Sequence, residues 1–274
     1  MCADSDSFSD LEPEDAQPAA HGRANLPPWV VASLDFQDHP RGLHITGVRR
    51  ENRSLFERLA GIDDVVTRAR VFDDYMNVKF HLHDWREHQD SARQSLKNSY
   101  LRFLRGWGVN STSIEGAVLK GWVESRFGLR PRYHGLRIEP GSRNYLPFAR
   151  DRMRGHARSN AIDSQLDLLF EFCQYEARRR KLSRLTLYRG VNDADQHQIT
   201  NHRGKRDYVV VLNNLCSFSS DPERAWEFGA TVWEVVVPVQ RICYFAGLLP
   251  QSVLRGEDEY LVLGGEHRVR ELSV

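Results

Sequence analysis

Two glutamates near the end of the sequence, Glu257 and Glu259, have a spacing that could serve glycosyl chemistry. If residues 260–263 mark a strand, the period of two places both carboxylates on one face, with their Cα atoms about 6–7 Å apart. An oxocarbenium-like transition state needs one anion beside it while a second group manages the nucleophile. The same Glu-x-Glu spacing also occurs on solvated strand faces, so the pair alone defines no function.

Two other motifs in the same half of the chain carry groups suited to a phosphate-containing ligand. Arg189 and Gly190 end a predicted strand, where the guanidinium fork fits a diphosphate and the glycine lets backbone approach a ligand closely. Ser217-Phe218-Ser219 follows, with both hydroxyls on one strand face, and a short helix carrying Ala225 and Phe228 comes next. Taken singly, an arginine of this kind is more typical of a surface ion pair and the serines of polar strand positions.

The elements that position these motifs change in type along the chain. Apolar residues recur at helical spacing from about 54 to 127 and over 163–179, and Thr112 to Glu115 has the pattern of a capping box for a helix ending near Phe127-Gly128. After Lys181, short β-branched or aromatic runs predict strands at 185–188, 208–212, 231–237, 241–245, 259–263 and 267–272. We therefore expect an α+β protein with a mostly helical N-terminal region and a β-rich C-terminal half.

Composition narrows the class of protein. The net charge is +1, from 38 basic and 37 acidic residues, which argues against a general nucleic-acid or membrane binder. The four cysteines are dispersed, so we expect no metal site and no disulfides, and no long apolar run predicts a transmembrane helix. These features favour a cytoplasmic location. Residues 1–25 are acidic and rich in Ser, Pro and Ala, which predicts a flexible tail.

Three motifs occur in order, each at the edge of a short strand: an arginine, a serine strand and Glu-x-Glu. This order resembles the Arg-Ser-Glu class of mono-ADP-ribosyltransferases. Ser217-Phe218-Ser219 stands where that class has Ser-Thr-Ser, and Phe218 departs from the pattern. Glu-x-Glu rather than Gln-x-Glu is similar to the arginine-modifying branch. The segments 112–116 and 122–128 are also similar to the bacterial dinitrogenase reductase ADP-ribosyltransferases, and this resemblance covers about residues 27–274.

The resemblance implies a fold and the roles of the two carboxylates. The fold would be a helical region, residues 26–181, packed on a two-sheet NAD-binding catalytic core, residues 182–274. Glu259 would be the catalytic carboxylate that stabilises the ribosyl cation, and Glu257 would hold the acceptor guanidinium and help remove its proton. Ser217 would orient Glu259. The loop 250–256 would meet the target protein.

The resemblance also implies ligands and partners. NAD would be the substrate, with Arg189 clamping its diphosphate or ribose, Gly190 offering backbone to the nicotinamide amide, Ser219 supporting the pocket and Phe228 packing on the nicotinamide ring. The protein substrate would be dinitrogenase reductase, whose modification stops nitrogen fixation, and a PII-type signalling protein would be the controller.

Several alternatives stay open at this point. The protein could be an NAD glycohydrolase, with water as the acceptor, or a non-catalytic module that senses NAD or ADP. Ser111 to Ser113 we assign to helix capping, and Trp107 to the core. The basic cluster over residues 150–158 could attract an acidic partner or the phosphates of NAD, or it could be a solvated face.

Overall fold

The computed structural model describes residues 22–82, 99–157, 159, 161–192, 198–202, 204–250 and 259–272. The helices α1 to α9 are Pro28–Val31, Leu34–Asp38, Val48–Glu51, Arg53–Ala60, Val65–Lys79, Tyr100–Val109, Ile114–Phe127, Tyr145–His156 and Ile162–Arg179, and α10 is Pro222–Trp226. The strands β1 to β8 are Arg132–Tyr133, Leu136–Arg137, Arg184–Val191, Gln198–His202, Asp207–Ser219, Thr231–Pro238, Ile242–Phe245 and Glu259–Leu272. The α+β class is therefore confirmed. Most of the predicted acidic tail lies outside the described residues.

Helix α7 begins one residue later than its sequence pattern suggested. Ser113 is the N-cap, because its side chain accepts a hydrogen bond from the Gly116 amide at 3.1 Å. The expectation that Glu115 returns to the first-turn backbone is wrong, since its carboxylate accepts a hydrogen bond from Arg102 Nη2 at 2.8 Å. The helix ends as predicted at Gly128, whose φ of 67° is a left-handed conformation that glycine adopts without strain.

Helix α9 is the central helix of the N-terminal region. Its apolar stripe is buried as predicted, with Leu166, Leu169, Phe170 and Cys173 each no more than 3% exposed. The ring of Phe172 stacks on Phe72 of α5, with 4.0 Å between the centroids. The helix thus joins the earlier helices through apolar contacts along most of its length.

The same helix also carries buried carboxylates, each paired with an arginine of an earlier helix. Asp167 pairs with Arg126 at 2.7 Å, Glu171 with Arg49 at 2.6 Å and Glu176 with Arg68 at 2.5 Å. Removing one partner of such a pair leaves an uncompensated buried charge and typically costs about 3–5 kcal/mol. These pairs therefore fix the position of α9 against the three earlier helices, and losing one partner would destabilise the helical region.

The long strands form one antiparallel sheet in the order β4-β5-β3-β6-β8-β7, and β5 also pairs with β8. The pairings β5–β3, β3–β6, β6–β8 and β8–β5 make a closed circuit, which gives the sheet a barrel-like closure. Because all of these strands are joined by hydrogen bonds, the two-sheet arrangement is not confirmed as such.

Strand β8 joins two runs that the sequence predicted as separate strands. The intervening Gly264 and Gly265 lie where the register between β5 and β8 shifts, next to Asn213. A Cβ on Gly264 would lie 1.6 Å from the Asn213 carbonyl oxygen, and Gly265 has a φ of 105°. The extra residue is on β5, where Asn213 and Asn214 lie opposite Gly264 alone, and the glycines let β8 pass this bulge as one continuous strand.

The helical and β regions share their core. One cluster of buried side chains extends from Ala24 to Val269 and has members in both regions. Strand β4, which the sequence did not predict, lies at the sheet edge and is largely exposed. None of the helices that the structure describes is long and apolar enough to cross a membrane.

Candidate active site

The predicted motifs meet at one end of the closed sheet. Tyr188 on β3 is opposite Ser219 on β5, and Ser219 is opposite Glu259 on β8. Opposed residues of antiparallel strands have Cα atoms about 4.5–5.5 Å apart and share a face of the sheet. Arg189 directly follows Tyr188, and Ser217 lies two residues before Ser219 on the same strand face. The arginine, serine and glutamate motifs are thus brought together by pairing of three adjacent strands.

The central contact of the site is a hydrogen bond between Ser217 and Glu259. The carboxylate of Glu259 is 4% exposed and its Oε1 accepts from the Ser217 hydroxyl. Ser217 Oγ in turn accepts a hydrogen bond from the Trp107 indole at 2.7 Å. An indole N–H can only donate, so it occupies a lone pair of the serine and leaves the hydroxyl proton to point at Glu259. The serine therefore holds one carboxylate oxygen in a defined orientation.

A phenol borders the carboxylate. Burial raises the pKa of Tyr244 on β7, and the nearby charge of Glu259 raises this pKa further. Tyr244 is 1% exposed and therefore remains neutral beside Glu259. The site combines a fixed anion with a neutral, largely water-excluding wall, a setting in which electrostatic stabilisation of a nearby positive charge is strong.

Arg189 contributes the positive charge of the site. Its Nη1 donates to the Ser217 carbonyl oxygen at 2.7 Å, and its guanidinium lies 5.9 Å from the centroid of the Phe218 ring. Phe218, the departure from the Ser-Thr-Ser pattern, is 3% exposed and supports the arginine by a cation–π contact. Among the described residues, Arg189 has no carboxylate partner and its Nε has no hydrogen-bond partner. This cation is thus not neutralised by any carboxylate that the structure describes, which favours an anionic ligand nearby.

Gly190, Ser219 and Phe228 lie where β3 meets the segment around α10. A Cβ on Gly190 would lie 2.1 Å from the Ala225 carbonyl oxygen and 3.0 Å from the Phe228 carbonyl carbon, so only glycine permits this approach. The Ser219 hydroxyl accepts a hydrogen bond from the Asp221 amide at 3.0 Å and so turns the chain into α10. Phe228 is 56% exposed beside these groups and presents an open aromatic surface.

The sequence did not identify Trp107 and Lys120 as parts of this site. Trp107 is buried in the core as expected, but its indole also binds Ser217. Lys120 on α7 is 2% exposed, and its Nζ lies 5.6 Å from the Trp107 ring and 5.7 Å from the Tyr133 ring. Burial lowers the pKa of Lys120 to about 8, and the charge of Arg189 contributes to the decrease. The available signal was a lysine within the apolar run 117–123.

The remaining predictions concern Glu257 with its loop, the Ser111–Ser113 segment and metal binding. Glu257 and most of the loop 250–256 lie outside the described residues, so the place of Glu257 beside Glu259 stays a prediction. The Ser111–Ser113 segment caps a helix, as expected. Within the described ranges, no group of three or more His, Cys, Asp or Glu side chains could hold a metal ion.

A closed antiparallel sheet that juxtaposes an arginine, a serine and a buried glutamate has the arrangement of the Arg-Ser-Glu class of mono-ADP-ribosyltransferases. Within that class, the chain belongs to the dinitrogenase reductase ADP-ribosyltransferase (DRAT) family, whose model matches residues 21–271. A relative from Rhodospirillum rubrum, NAD(+)--dinitrogen-reductase ADP-D-ribosyltransferase, is 44% identical over 253 residues, which cover 89% of this chain and 92% of the relative. No solved structure matches the chain.

Proposed function

We propose that this protein transfers ADP-ribose from NAD to an arginine side chain of dinitrogenase reductase. The observation that carries the proposal is the buried Glu259 carboxylate held by the Ser217 hydroxyl, beside a cation without a carboxylate partner in the described residues. The name of the Rhodospirillum rubrum relative, which covers nearly the same length, supports both the NAD donor and the protein acceptor.

In this proposal, Glu259 stabilises the positive charge that develops on the ribose. Nicotinamide is already a cationic leaving group, so the bond between its ring nitrogen and the ribose C1′ can break without a general acid. The electron pair of that bond leaves with nicotinamide, and the ribose becomes electron-deficient. A carboxylate oriented before the reaction stabilises this charge without reorganising. Ser217 acts on the chemistry through Glu259, as a positioning residue.

The NAD-binding role falls to the groups around β3 and α10. The guanidinium of Arg189, which no described carboxylate neutralises, suits the diphosphate, because a guanidinium binds phosphate oxygens in a bidentate manner. The backbone of Gly190 would meet the nicotinamide amide, the exposed ring of Phe228 would pack on the nicotinamide, and Ser219 supports both through the turn into α10. These assignments fit an anionic dinucleotide with one flat aromatic end.

Glu257 would act on the acceptor. A guanidinium has a pKa above about 12 and is not a nucleophile near neutral pH, so one of its protons must be removed as the new bond between its nitrogen and C1′ forms. A carboxylate two residues before Glu259 is suited to hold the guanidinium and to receive that proton. The loop 250–256 would contact the surrounding protein surface.

The wider biology belongs to the same proposal. ADP-ribose on the target arginine would block the partner that exchanges electrons with dinitrogenase reductase, and its removal by another enzyme would make the inactivation reversible. We also predict that a PII-type signalling protein is the controller and that the location is cytoplasmic. The predicted division of the chain is a tail of residues 1–25, a helical region 26–181 and a two-sheet core 182–274.

The test is the transfer of labelled ADP-ribose from NAD to purified dinitrogenase reductase, with nicotinamide release followed in parallel. We expect label with the wild-type protein, none with Glu259→Gln, and some residual NAD cleavage without label with Glu257→Gln. Full labelling by a correctly folded Glu259→Gln protein would refute the role of Glu259. Nicotinamide release without any labelled protein would favour a glycohydrolase, and NAD binding without either product would favour a sensor.

A further inference from the structure

Helix α8 has an exposed face that the proposed chemistry does not use. Leu146, Arg150, Met153 and Arg154 follow each other at i, i+4, i+7 and i+8, which places them on one side of the helix. Leu146 is 67% and Met153 72% exposed, and the side chains of Arg150 and Arg154 are 60% and 62% exposed. Leu146 and Met153 are two helical turns apart with Arg150 between them, so apolar and basic groups alternate along this face, which suits contact with a partner.

The hairpin β1–β2 packs against α8 and carries two further exposed side chains, one apolar and one basic. Its residues Leu136 and Arg137 are exposed, Leu136 by 52%. Tyr133 fastens the hairpin to α8, because its hydroxyl contacts Asp151 at 3.0 Å and its ring packs 5.4 Å from Phe148. The exposed side chains of α8 named above, together with Leu136 and Arg137, are called the basic-apolar face below.

The segment that carries this face is strongly positive. Residues 130–157 contain seven arginines and two acidic residues, a net charge of +5 in a chain whose total is +1. Each of the two carboxylates is shared by two arginines at distances of 3.3 to 3.9 Å: Glu139 by Arg130 and Arg137, and Asp151 by Arg150 and Arg154. Arg152 is in addition 3.8 Å from Glu124 of α7, so the positive excess lies mainly with the exposed arginines, whose ion pairs neutralise little of the field.

The hairpin that carries part of the basic-apolar face is anchored on the strand that carries Ser217. The Asn213 side chain binds the Arg132 backbone through two hydrogen bonds, of 2.7 and 2.9 Å, and Asn213 is four residues before Ser217 on β5. On the other side of the hairpin, Tyr133 packs near Lys120, whose Nζ also lies over the ring of Trp107. The hairpin is therefore attached directly to β5, the strand of Ser217, and Tyr133 links α8 to the hairpin.

We propose that the basic-apolar face is a docking surface for an acidic patch of the protein that receives ADP-ribose. The inference rests on the proposed function, because a reaction on a folded protein requires contacts beyond the acceptor side chain. Arginine and methionine are enriched in protein interfaces, where apolar groups supply burial. A localised positive field speeds encounter with a negatively charged partner and aligns it. The occupant is thus the acceptor protein itself, held beside the site through its carboxylates.

The experiment measures binding to dinitrogenase reductase directly, by biolayer interferometry with the full-length protein. The test variant is Arg150→Glu with Arg154→Glu. The matched control is Arg53→Glu with Arg58→Glu on α4, two exposed arginines whose reversal changes the net charge by the same amount. A second test variant, Leu146→Ser with Met153→Ser, removes the apolar part without changing charge. Thermal melting and NAD affinity by equilibrium dialysis report whether each variant retains its fold and its NAD site.

We expect the charge reversal on α8 to weaken binding by about tenfold or more, with a slower association rate, while the control changes binding by less than about threefold. Added salt should weaken wild-type binding and leave the reversed variant less affected. The apolar variant should dissociate faster. The proposal would be overturned if the two charge reversals changed the affinity equally, or if the affinity of the wild-type protein did not depend on salt concentration.

Transfer assays separate this proposal from the proposed function. If the charge reversal on α8 raises KM for dinitrogenase reductase and leaves NAD affinity unchanged, both ideas are supported. If the wild-type protein binds dinitrogenase reductase in the predicted salt-dependent way but adds no label, the transferase function fails and the docking surface stands. Labelling of the target at the wild-type KM by the reversed variant would refute the docking surface alone.

Discussion

The hydrogen bond from Trp107 to Ser217 offers a test of how the site is assembled. Trp107→Phe keeps an aromatic ring in the buried position, which is 3% exposed, and removes the indole donor. The Ser217 hydroxyl then lacks the group that fixes its direction, so its proton no longer points only at Glu259. We therefore expect the variant to cleave NAD more slowly, although no residue that would touch NAD has changed.

The size of the effect follows from the interaction removed. A neutral hydrogen bond contributes about 0.5–1.5 kcal/mol net. If this orientation is needed in the transition state and not for binding NAD, the loss appears in kcat, as a decrease of about twofold to tenfold. KM for NAD should stay within about twofold, because interactions that matter only in the transition state leave ground-state binding unchanged.

The matched control is Trp122→Phe. Trp122 is also 3% exposed, but its indole donates to the Asp167 carboxylate at 2.7 Å and not to Ser217. Both variants should lose stability by about 1–3 kcal/mol, as measured by urea unfolding. Only Trp107→Phe should lower kcat for transfer and for nicotinamide release at a temperature where both proteins are fully folded.

A third variant separates the effect of losing the N–H donor from the effect of changing the shape of the ring. Replacing the indole of Trp107 by benzothiophene, through incorporation of benzothienylalanine, keeps two fused rings and removes the N–H. It should reproduce the decrease in kcat. Adding Trp107→Phe to Ser217→Ala should have almost no further effect, because the indole acts through the serine. The reasoning is wrong if the benzothiophene protein has wild-type kcat, or if the two substitutions act additively.

Three further predictions concern stability. His156→Gln should lower the free energy of unfolding by less than about 1 kcal/mol near pH 6. The hydrogen bond with Asp163 raises the pKa of His156, so this loss should disappear as the pH rises above the raised pKa. Urea titrations at two pH values would show the change. Lys120→Met should be more stable than wild type near pH 7, by about 1–3 kcal/mol, because burial lowers the pKa of the lysine from 10.5 to about 8 and makes its charged form costly. In the same assay, this advantage should shrink as the pH rises from about 8 to 10.5. Gly190→Ala should lower the free energy of unfolding by about 1–3 kcal/mol and weaken NAD binding in dialysis, because the new methyl would lie 2.1 Å from the Ala225 carbonyl oxygen. An unchanged free energy of unfolding together with unchanged NAD affinity would contradict the close approach.

Much of the fold could be predicted because local pattern and tertiary environment agree. Helix α9 was predicted within one residue, since its apolar stripe has a clear 3.6-residue period and the stripe is buried. The strands that carry Arg189, Ser217 and Glu259 are rich in β-branched and aromatic residues. The order of the motifs then indicated that the three side chains meet, and the pairing of β3, β5 and β8 brings them together.

Other features depend on contacts between distant segments, which local pattern does not encode. Gly264 and Gly265 were interpreted as a break between strands because glycine usually interrupts a strand. In the structure, Gly264 accommodates the close approach of Asn213 and Gly265 that of Ala32. Glu115 fits a capping box by spacing, but Arg102, thirteen residues earlier, competes for its carboxylate. The role of Trp107 depends on a partner 110 residues away, so its helical spacing predicted only burial.

The closure of the sheet by β8 has a consequence for the synthesis of the protein. The contacts of Ser217 join residues 42 and 110 positions apart, and β8 supplies both Glu259 and the pairing that completes the circuit of strands. Such long-range pairing forms late and slowly. A ribosome-bound chain that stops before residue 259 therefore has neither the carboxylate nor the closed sheet, and under the proposed mechanism we expect it not to consume NAD. Premature stop codons upstream of β8 should yield fragments without partial activity, so the reaction is withheld until synthesis has passed the last strand of the circuit.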